Sequence, residues 1–142
     1  MEKFLLAIVS AVALVGCQEK EDAAVTQGSV APDSGSQSVD VSPAELAGLL
    51  ASKLDVVVID IRTPAEFAEG HIEGAINIDF QADGFAEAIA KVDTDAPTVF
   101  HCRGGGRSGQ AEPLFEALPF QELYHLSSGS MGWSDAGNPM VK

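Results

Sequence analysis

Thr98-Val99-Phe100-His101-Cys102-Arg103-Gly104-Gly105-Gly106-Arg107-Ser108 is the stretch on which the reading of this 142-residue chain turns. Residues 98–101 are β-branched and aromatic apart from His101, and they read as a strand. Residues 108–118 read as a helix, so Cys102 stands where a strand hands over to a helix through a glycine-rich turn. Three consecutive glycines let the backbone take left-handed turns without steric cost. Successive N–H groups can then face inward as an anion-binding nest, closed by the N-terminus of the next helix. A cysteine on the floor of such a nest is favoured as thiolate, below the free value of about 8.5. Arg103 and Arg107 add positive charge and fork-shaped donors at the rim. The blander alternative is a flexible glycine turn holding an incidental cysteine.

On either side of the loop, short apolar runs alternate with helical patterns. Ser42-Pro43-Ala44-Glu45 is a capping box with proline at the first helical position. It opens a helix over 44–53, with Leu46, Leu49, Leu50 and Leu54 at helical spacing. Val56-Val57-Val58-Ile59 is β-branched throughout, which fits a strand buried on both faces and hence a parallel sheet. Thr63-Pro64-Ala65-Glu66 is a second capping box, opening a short helix that Gly70 ends. Further strands are expected at 75–78 and 122–125, with helices over 85–91 and near Met131. Such alternation defines an α/β sheet with crossover connections. Ligands of open α/β sheets sit beyond the carboxyl ends of the strands, where both Asp60-Ile61-Arg62 and the Cys102 loop fall. Pro113 conflicts with the helix over 108–118, since an interior proline costs about 3 kcal/mol. A kink or a late helix start is expected there, eased by Gly109 four residues earlier.

The beginning of the chain is of another kind. Residues 4–15 form an apolar run behind Lys3. It is shorter than the ~20 residues of a bilayer-spanning helix and suits the core of a signal peptide. The run ends in Leu14-Val15-Gly16-Cys17, which resembles the lipobox of bacterial lipoproteins. That resemblance implies a signal peptide over 1–16, diacylation of Cys17 and a membrane partner through the acyl anchor. Gln18 after the cysteine implies the outer membrane, facing the periplasm of a Gram-negative bacterium. An ordinary secretory signal with a chance cysteine is the alternative. Residues 17–38 then form the lipidated cysteine and a flexible tether, charged at 18–22 and rich in Gly, Ser, Gln and Pro thereafter. Residues 39–142 form the folded domain.

Cysteine and charge counts bear on chemistry. The chain has two cysteines; with lipid on Cys17, Cys102 has no intrachain partner. An unpaired cysteine in an exported protein points to a reactive thiol or intermolecular pairing, against a buried inert residue. The net charge of −13 excludes nucleic acid as a partner and disfavours adhesion to anionic lipid, so an anionic ligand needs a local positive site.

The 102–108 loop resembles the active-site loop of the rhodanese family, and other motifs of that family stand in order. Asp60-Ile61-Arg62 matches its Asp-x-Arg. Glu66-Phe67 with Gly70-His71-Ile72-Glu73-Gly74-Ala75-Ile76-Asn77-Ile78 matches its Gly-His-Ile stretch, and Ser128-Gly129-Ser130-Met131-Gly132-Trp133 is similar to its C-terminal Gly-Gly-x-x-x-Trp. The likeness covers residues 39–142. It implies a rhodanese-like α/β fold, with a central, mainly parallel five-stranded sheet and helices on both faces. It also implies a sulfurtransferase: Cys102 takes sulfane sulfur from an anionic donor such as thiosulfate as a persulfide, then yields it to cyanide or a thiol. Arg103, Gly104, Gly105, Gly106, Arg107 and Ser108 would bind the donor. Asp60, Arg62 and Glu66 would brace the loop as one ion-pair set, and His71 would serve packing and turn bonding. Trp133 would be core or active-site wall. Neither cofactor nor metal is implied, and His71, His101 and His125 lack metal-ligand spacing. His101 is expected to face away from the loop. The triple glycine departs from family loops that carry a larger side chain, leaving donor preference open.

Two other readings stand beside this one. Phosphatases or arsenate reductases with cysteine-plus-arginine loops place one more residue between the two than the four found here, 103–106. A non-enzymatic sulfur carrier, handing persulfide to a protein acceptor, would need the same cysteine and arginines.

Overall fold

The computed structural model describes residues 35–52 and 55–142. Cys17, the signal-peptide segment and most of the tether lie outside them, as do Lys53 and Leu54. Five strands form one all-parallel sheet: β1 (Ser38–Asp40), β2 (Val57–Asp60), β3 (Ile76–Asn77), β4 (Thr98–His101) and β5 (Leu123–His125). Their order across the sheet is β1-β5-β4-β2-β3. The centre is therefore β4, in register with β2 (Ile59 opposite Phe100) and with β5 (Phe100 opposite His125).

Alternation along the two central strands sends apolar side chains to both faces. Val58 and Val99 join Leu46 of α1 (Pro43–Ser52), Ile72, Leu126 and Trp133 of α5 (Gly129–Asp135) in one cluster. Ile59 and Phe100 join Phe85 and Ile89 of α3 (Phe85–Ile89) with Ala111 and Phe115 of α4 (Gly106–Glu116) in the other. Phe100 and Phe115 stack at 4.3 Å between ring centroids. Full burial of an aromatic of this size stabilises the fold by roughly 1.5–3 kcal/mol. Among the described residues no helix is long and apolar enough to cross a membrane.

Both capping boxes form. The Ser42 N–H donates to Glu45 Oε2 at 2.7 Å while the Glu45 N–H donates to Ser42 Oγ at 3.3 Å, opening α1. Thr63 and Glu66 exchange the equivalent pair at the start of α2 (Pro64–Glu69).

Two expectations need correction. The folded unit starts before Val39, because Ser38 already pairs with Leu123 and the Ser36 hydroxyl donates to the Leu118 carbonyl at 3.1 Å. Composition suggested a tether to residue 38, yet long-range hydrogen bonds to α4 and its C-terminal turn hold these serines. Of the two outcomes expected at Pro113, the late helix start is the one overturned: α4 starts at Gly106 and runs through the proline to Glu116. An interior proline presses on the carbonyl four residues back, here that of Gly109; a Cβ on Gly109 would meet nothing within 4 Å, so the expected easing does not come from its missing side chain.

Candidate active site

β4 ends at His101, so Cys102 leaves the sheet at its carboxyl edge, between β2 and β5. The peptide beyond it is gripped from behind. The N–H groups of Ser130 and Met131, in the first turn of α5, donate to the carbonyls of Cys102 and Arg103, each at 2.9 Å. With those carbonyls turned outward, the amides of the loop face the sulfur. The Gly105 N–H donates to Cys102 Sγ at 3.1 Å, and the Ser108 hydroxyl lies 3.4 Å from it. Burial pushes the Cys102 thiol up. The Ser108 hydroxyl and the N–H groups of Ser108, Gly104 and Gly105 outweigh that and bring it below its ordinary value. Cys102 is 1% exposed, so the cup holds its sulfur almost wholly out of solvent.

The three glycines are not equivalent. Only Gly105 takes a left-handed conformation, at φ 93°, and a Cβ there would stand 2.2 Å from the Ser127 carbonyl oxygen. A Cβ on Gly106 would meet nothing, and one on Gly104 only the tip of Met131 at 3.9 Å. The expectation that all three serve backbone turning therefore narrows to Gly105; the other two are exposed, with room for a side chain. Gly129 is a further required glycine: at φ 64°, its Cβ would sit 2.4 Å from the Arg103 carbonyl oxygen.

The expected single ion-pair set is two separate pairs. Arg62 Nε and Nη2 clasp the Asp60 carboxylate at 2.6–3.0 Å, both residues being buried. Arg62 also donates to the Gly70 carbonyl at 2.8 Å, and Asn77 Nδ2 donates to the carbonyls of Asp60 and Arg62. This pair therefore fastens the turn after β2 rather than the cysteine loop. Glu66 belongs to the other pair: Arg107 Nη1 and Nη2 each donate to one of its oxygens at 2.7 Å, joining α2 to α4. Arg107 lowers the Glu66 carboxyl to about 2, against the penalty of burial, and is itself raised. Of the two arginines expected to meet a donor, Arg107 is thus held by Glu66, whereas Arg103 is exposed at the mouth.

His71 stacks on Phe67 at 3.8 Å, with its Nδ1 3.0 Å from the Phe67 carbonyl, which is packing and turn bonding as expected. His101 is fully buried and directs Nδ1 to the Cys102 carbonyl at 2.8 Å, away from the sulfur. Burial lowers its pKa, with Asp60 opposing. Trp133 is core: it donates from Nε1 to the Pro139 carbonyl and lines a cavity of about 410 Å³ with Ala47, Leu50, Ile72 and Pro139. No residue of the Cys102 loop borders that cavity. Among the described residues, no group of three or more His, Cys, Asp or Glu side chains is placed to hold a metal ion.

One residue of the site escaped the sequence reading. His125 Nε2 lies 2.8 Å from Ser108 Oγ, and Nδ1 faces Asp40 and Glu112. Its only signal in the sequence is its place at the carboxyl end of a strand, which becomes informative once β5 is known to lie beside β4.

A parallel sheet with a cysteine at the carboxyl end of its central strand, cradled by backbone amides, defines a class of cysteine-bearing α/β domain. Residues 42–136 match the Rhodanese-like domain, and the chain belongs to that family. It is 30% identical over 102 residues to a sulfurtransferase of Allochromatium vinosum, covering 72% of this chain and 94% of that one. It is 37% identical over 91 residues to the thiosulfate sulfurtransferase GlpE of Pseudomonas putida, covering 64% and 81%. The chain spans only 25% of the length of another relative, the probable adenylyltransferase/sulfurtransferase MoeZ of Mycobacterium tuberculosis, at 31% identity over 99 residues, 70% of this chain. Among solved structures it resembles a rhodanese-related protein of Thermoplasma volcanium, with a TM-score of 0.63 at 24% identity, covering 75% of this chain and 98% of that one.

Proposed function

We propose that this domain is a sulfurtransferase that moves sulfane sulfur from an anionic donor such as thiosulfate to cyanide or a thiol through a persulfide on Cys102. The observation that supports it most is the donor-lined cup around Cys102 Sγ, with the Gly105 amide at 3.1 Å and the Ser108 hydroxyl at 3.4 Å. Such a cup favours a thiolate, and then a persulfide anion, over the neutral forms. In the first half-reaction Cys102 Sγ attacks the outer sulfur of the donor. A new S–S bond forms on the enzyme, the S–S bond of the donor breaks, and sulfite leaves with the electron pair. In the second, the acceptor takes the outer sulfur and the bonding electrons return to Cys102 as thiolate. Two half-reactions with a covalent intermediate give ping-pong kinetics. Exposed Arg103 meets the anionic donor at the mouth; Arg107 acts by holding the loop against Glu66.

Intact-mass analysis after thiosulfate exposure tests the proposal. One sulfur atom is added to the wild-type chain and none to Cys102→Ser; no adduct on the wild type would end the reading. Steady turnover with thiosulfate and cyanide separates an enzyme from a carrier, which loads one sulfur and stalls without its protein partner. Turnover of an aryl phosphate, lost in Cys102→Ser, would favour the phosphatase reading instead.

We also propose export and lipid anchoring at Cys17, at the outer membrane facing the periplasm; the apolar run over 4–15, the Leu14–Cys17 box and Gln18 support this reading. Cells fed labelled palmitate then label the wild-type chain and not Cys17→Ala; equal label in both rejects the anchor.

A further inference from the structure

The polar contacts of Cys102 continue past Ser108. Its hydroxyl is 3.4 Å from Cys102 Sγ on one side and 2.8 Å from His125 Nε2 on the other. His125 is 5% exposed, and its ring lies flat on Phe100, centroids 4.7 Å apart and planes within 2°. That stacking leaves the two ring nitrogens pointing along the plane, one toward Ser108 and one toward the edge of the sheet. At the edge, Nδ1 is 3.3 Å from Asp40 Oδ1 of β1 and 3.6 Å from Glu112 Oε1 of α4.

These partners decide the tautomer. A nitrogen that faces two carboxylates carries a proton, so Nδ1 is N–H, and Nε2 is a lone pair in the neutral ring and a second N–H in the charged one. The Ser108 hydroxyl has a single proton to give. Beside a neutral His125, its nearest acceptor is Nε2 at 2.8 Å, followed by the Gly105 carbonyl at 3.2 Å. Beside a charged His125, Nε2–H occupies the oxygen and the hydroxyl proton is free to turn to sulfur. The state of His125 thus sets which way Ser108 points.

We propose that His125 is the proton partner of Cys102, acting through the Ser108 hydroxyl, so that the resting site is a thiolate paired with an imidazolium. The S–H bond of Cys102 breaks as its proton passes to Ser108 Oγ, and the proton of Ser108 passes to His125 Nε2. The products are thiolate, an unchanged serine and a charged imidazole held at Nδ1 by Asp40 and Glu112. Charge is conserved, and no further reactant is needed. Because His125 reaches the sulfur only through Ser108, it is a positioning residue.

Carboxylates gather on the Nδ1 side of the ring. Asp40 and Glu112 face it directly. Glu116 of α4 joins them through Ser38, whose N–H donates to Glu116 Oε1 at 2.9 Å and whose hydroxyl contacts both glutamates. The other titratable neighbour is His101 on β4, whose pKa burial lowers. Of the residues on the sulfur side, Arg107 interacts with the Cys102 thiolate but has its own carboxylate in Glu66.

The inference rests on the sulfurtransfer reading, since it says how that nucleophile is made, but its test reads the thiolate alone. Alkylation of the full chain by iodoacetamide is followed against pH on the Cys102 peptide by mass spectrometry. In His125→Gln the midpoint rises by about one pH unit, a roughly tenfold slower reaction below the midpoint. Ser108→Ala raises it similarly, and the double variant goes no higher than the larger single effect, as a shared relay requires. A folded His125→Gln with the wild-type midpoint overturns the relay, even if sulfur loading is intact. A raised midpoint supports it even if the wild type accepts no sulfur. Asp40→Asn combined with Glu112→Gln leaves the stacked ring in place and serves if His125→Gln fails to fold: a raised midpoint supports the relay, and an unchanged one overturns it.

Discussion

The Cys102 loop has two walls of different character. On the β2 side, Arg107 and Glu66 form a two-pronged ion pair between α4 and α2, with both side chains about a quarter exposed. On the β5 side, Ser108 and His125 form a chain of single hydrogen bonds, nearly closed to solvent. The first wall fixes position by charge and geometry. The second contains an imidazole, a side chain able to accept and to donate a hydrogen bond. An ion pair and a hydrogen-bonded chain thus sit on opposite sides of one loop, so that either can be altered separately.

The largest effect is expected where the walls share a back. Gly129→Ala places a Cβ 2.4 Å from the Arg103 carbonyl oxygen in a left-handed conformation. Strain and overpacking together cost about 3–5 kcal/mol. Thermal melting should show a large drop, with sulfur loading lost in whatever remains folded; a melt like that of the wild type would mean the α5 contact is not rigid. A smaller effect is expected at the β2 wall alone. Glu66→Gln removes a charged, bidentate acceptor, and after allowance for solvent screening the loss is about 1–2 kcal/mol. The same variant changes the response to acid. Glu66 titrates in the folded protein at about 2, below its ordinary 4.5, so its stabilisation is complete above pH 4.5 and is lost as pH falls toward 2. The wild-type melting temperature should decline across that interval more steeply than that of Glu66→Gln. Parallel declines would show that the pair contributes nothing to the fold.

What could be read from sequence was what local physics determines. The valines of β2 and the Thr98–His101 run are strands because β-branched and aromatic residues suit a sheet buried on both faces. Ser42 and Thr63 start helices because each has a glutamate three residues on to complete the box. The Cys102 cradle was legible because nucleophile, glycines and arginines are contiguous. The parts that escaped join distant residues. Glu66 and Arg107 are 41 positions apart, and Ser108 and His125 are 17 apart. Only the strand order, with β4 between β5 and β2, brings them together. Composition also misled at Ser36 and Ser38, whose polar side chains suit a tether as well as they suit α4. Among the three loop glycines, sequence alone could not separate the one pressed against Ser127 from the two facing open space.

The grip of α5 on the loop has a consequence for how such a site can change. Because the Ser130 and Met131 amides hold the Cys102 and Arg103 carbonyls, those peptide planes cannot turn to present oxygen inward. The sign of the cup is thereby written into the backbone, where no single side-chain replacement can reverse it. What remains open to variation is the side chain at Gly104 and Gly106, where a Cβ finds room. Polarity is inherited with the fold; bulk at Gly104 and Gly106 is not.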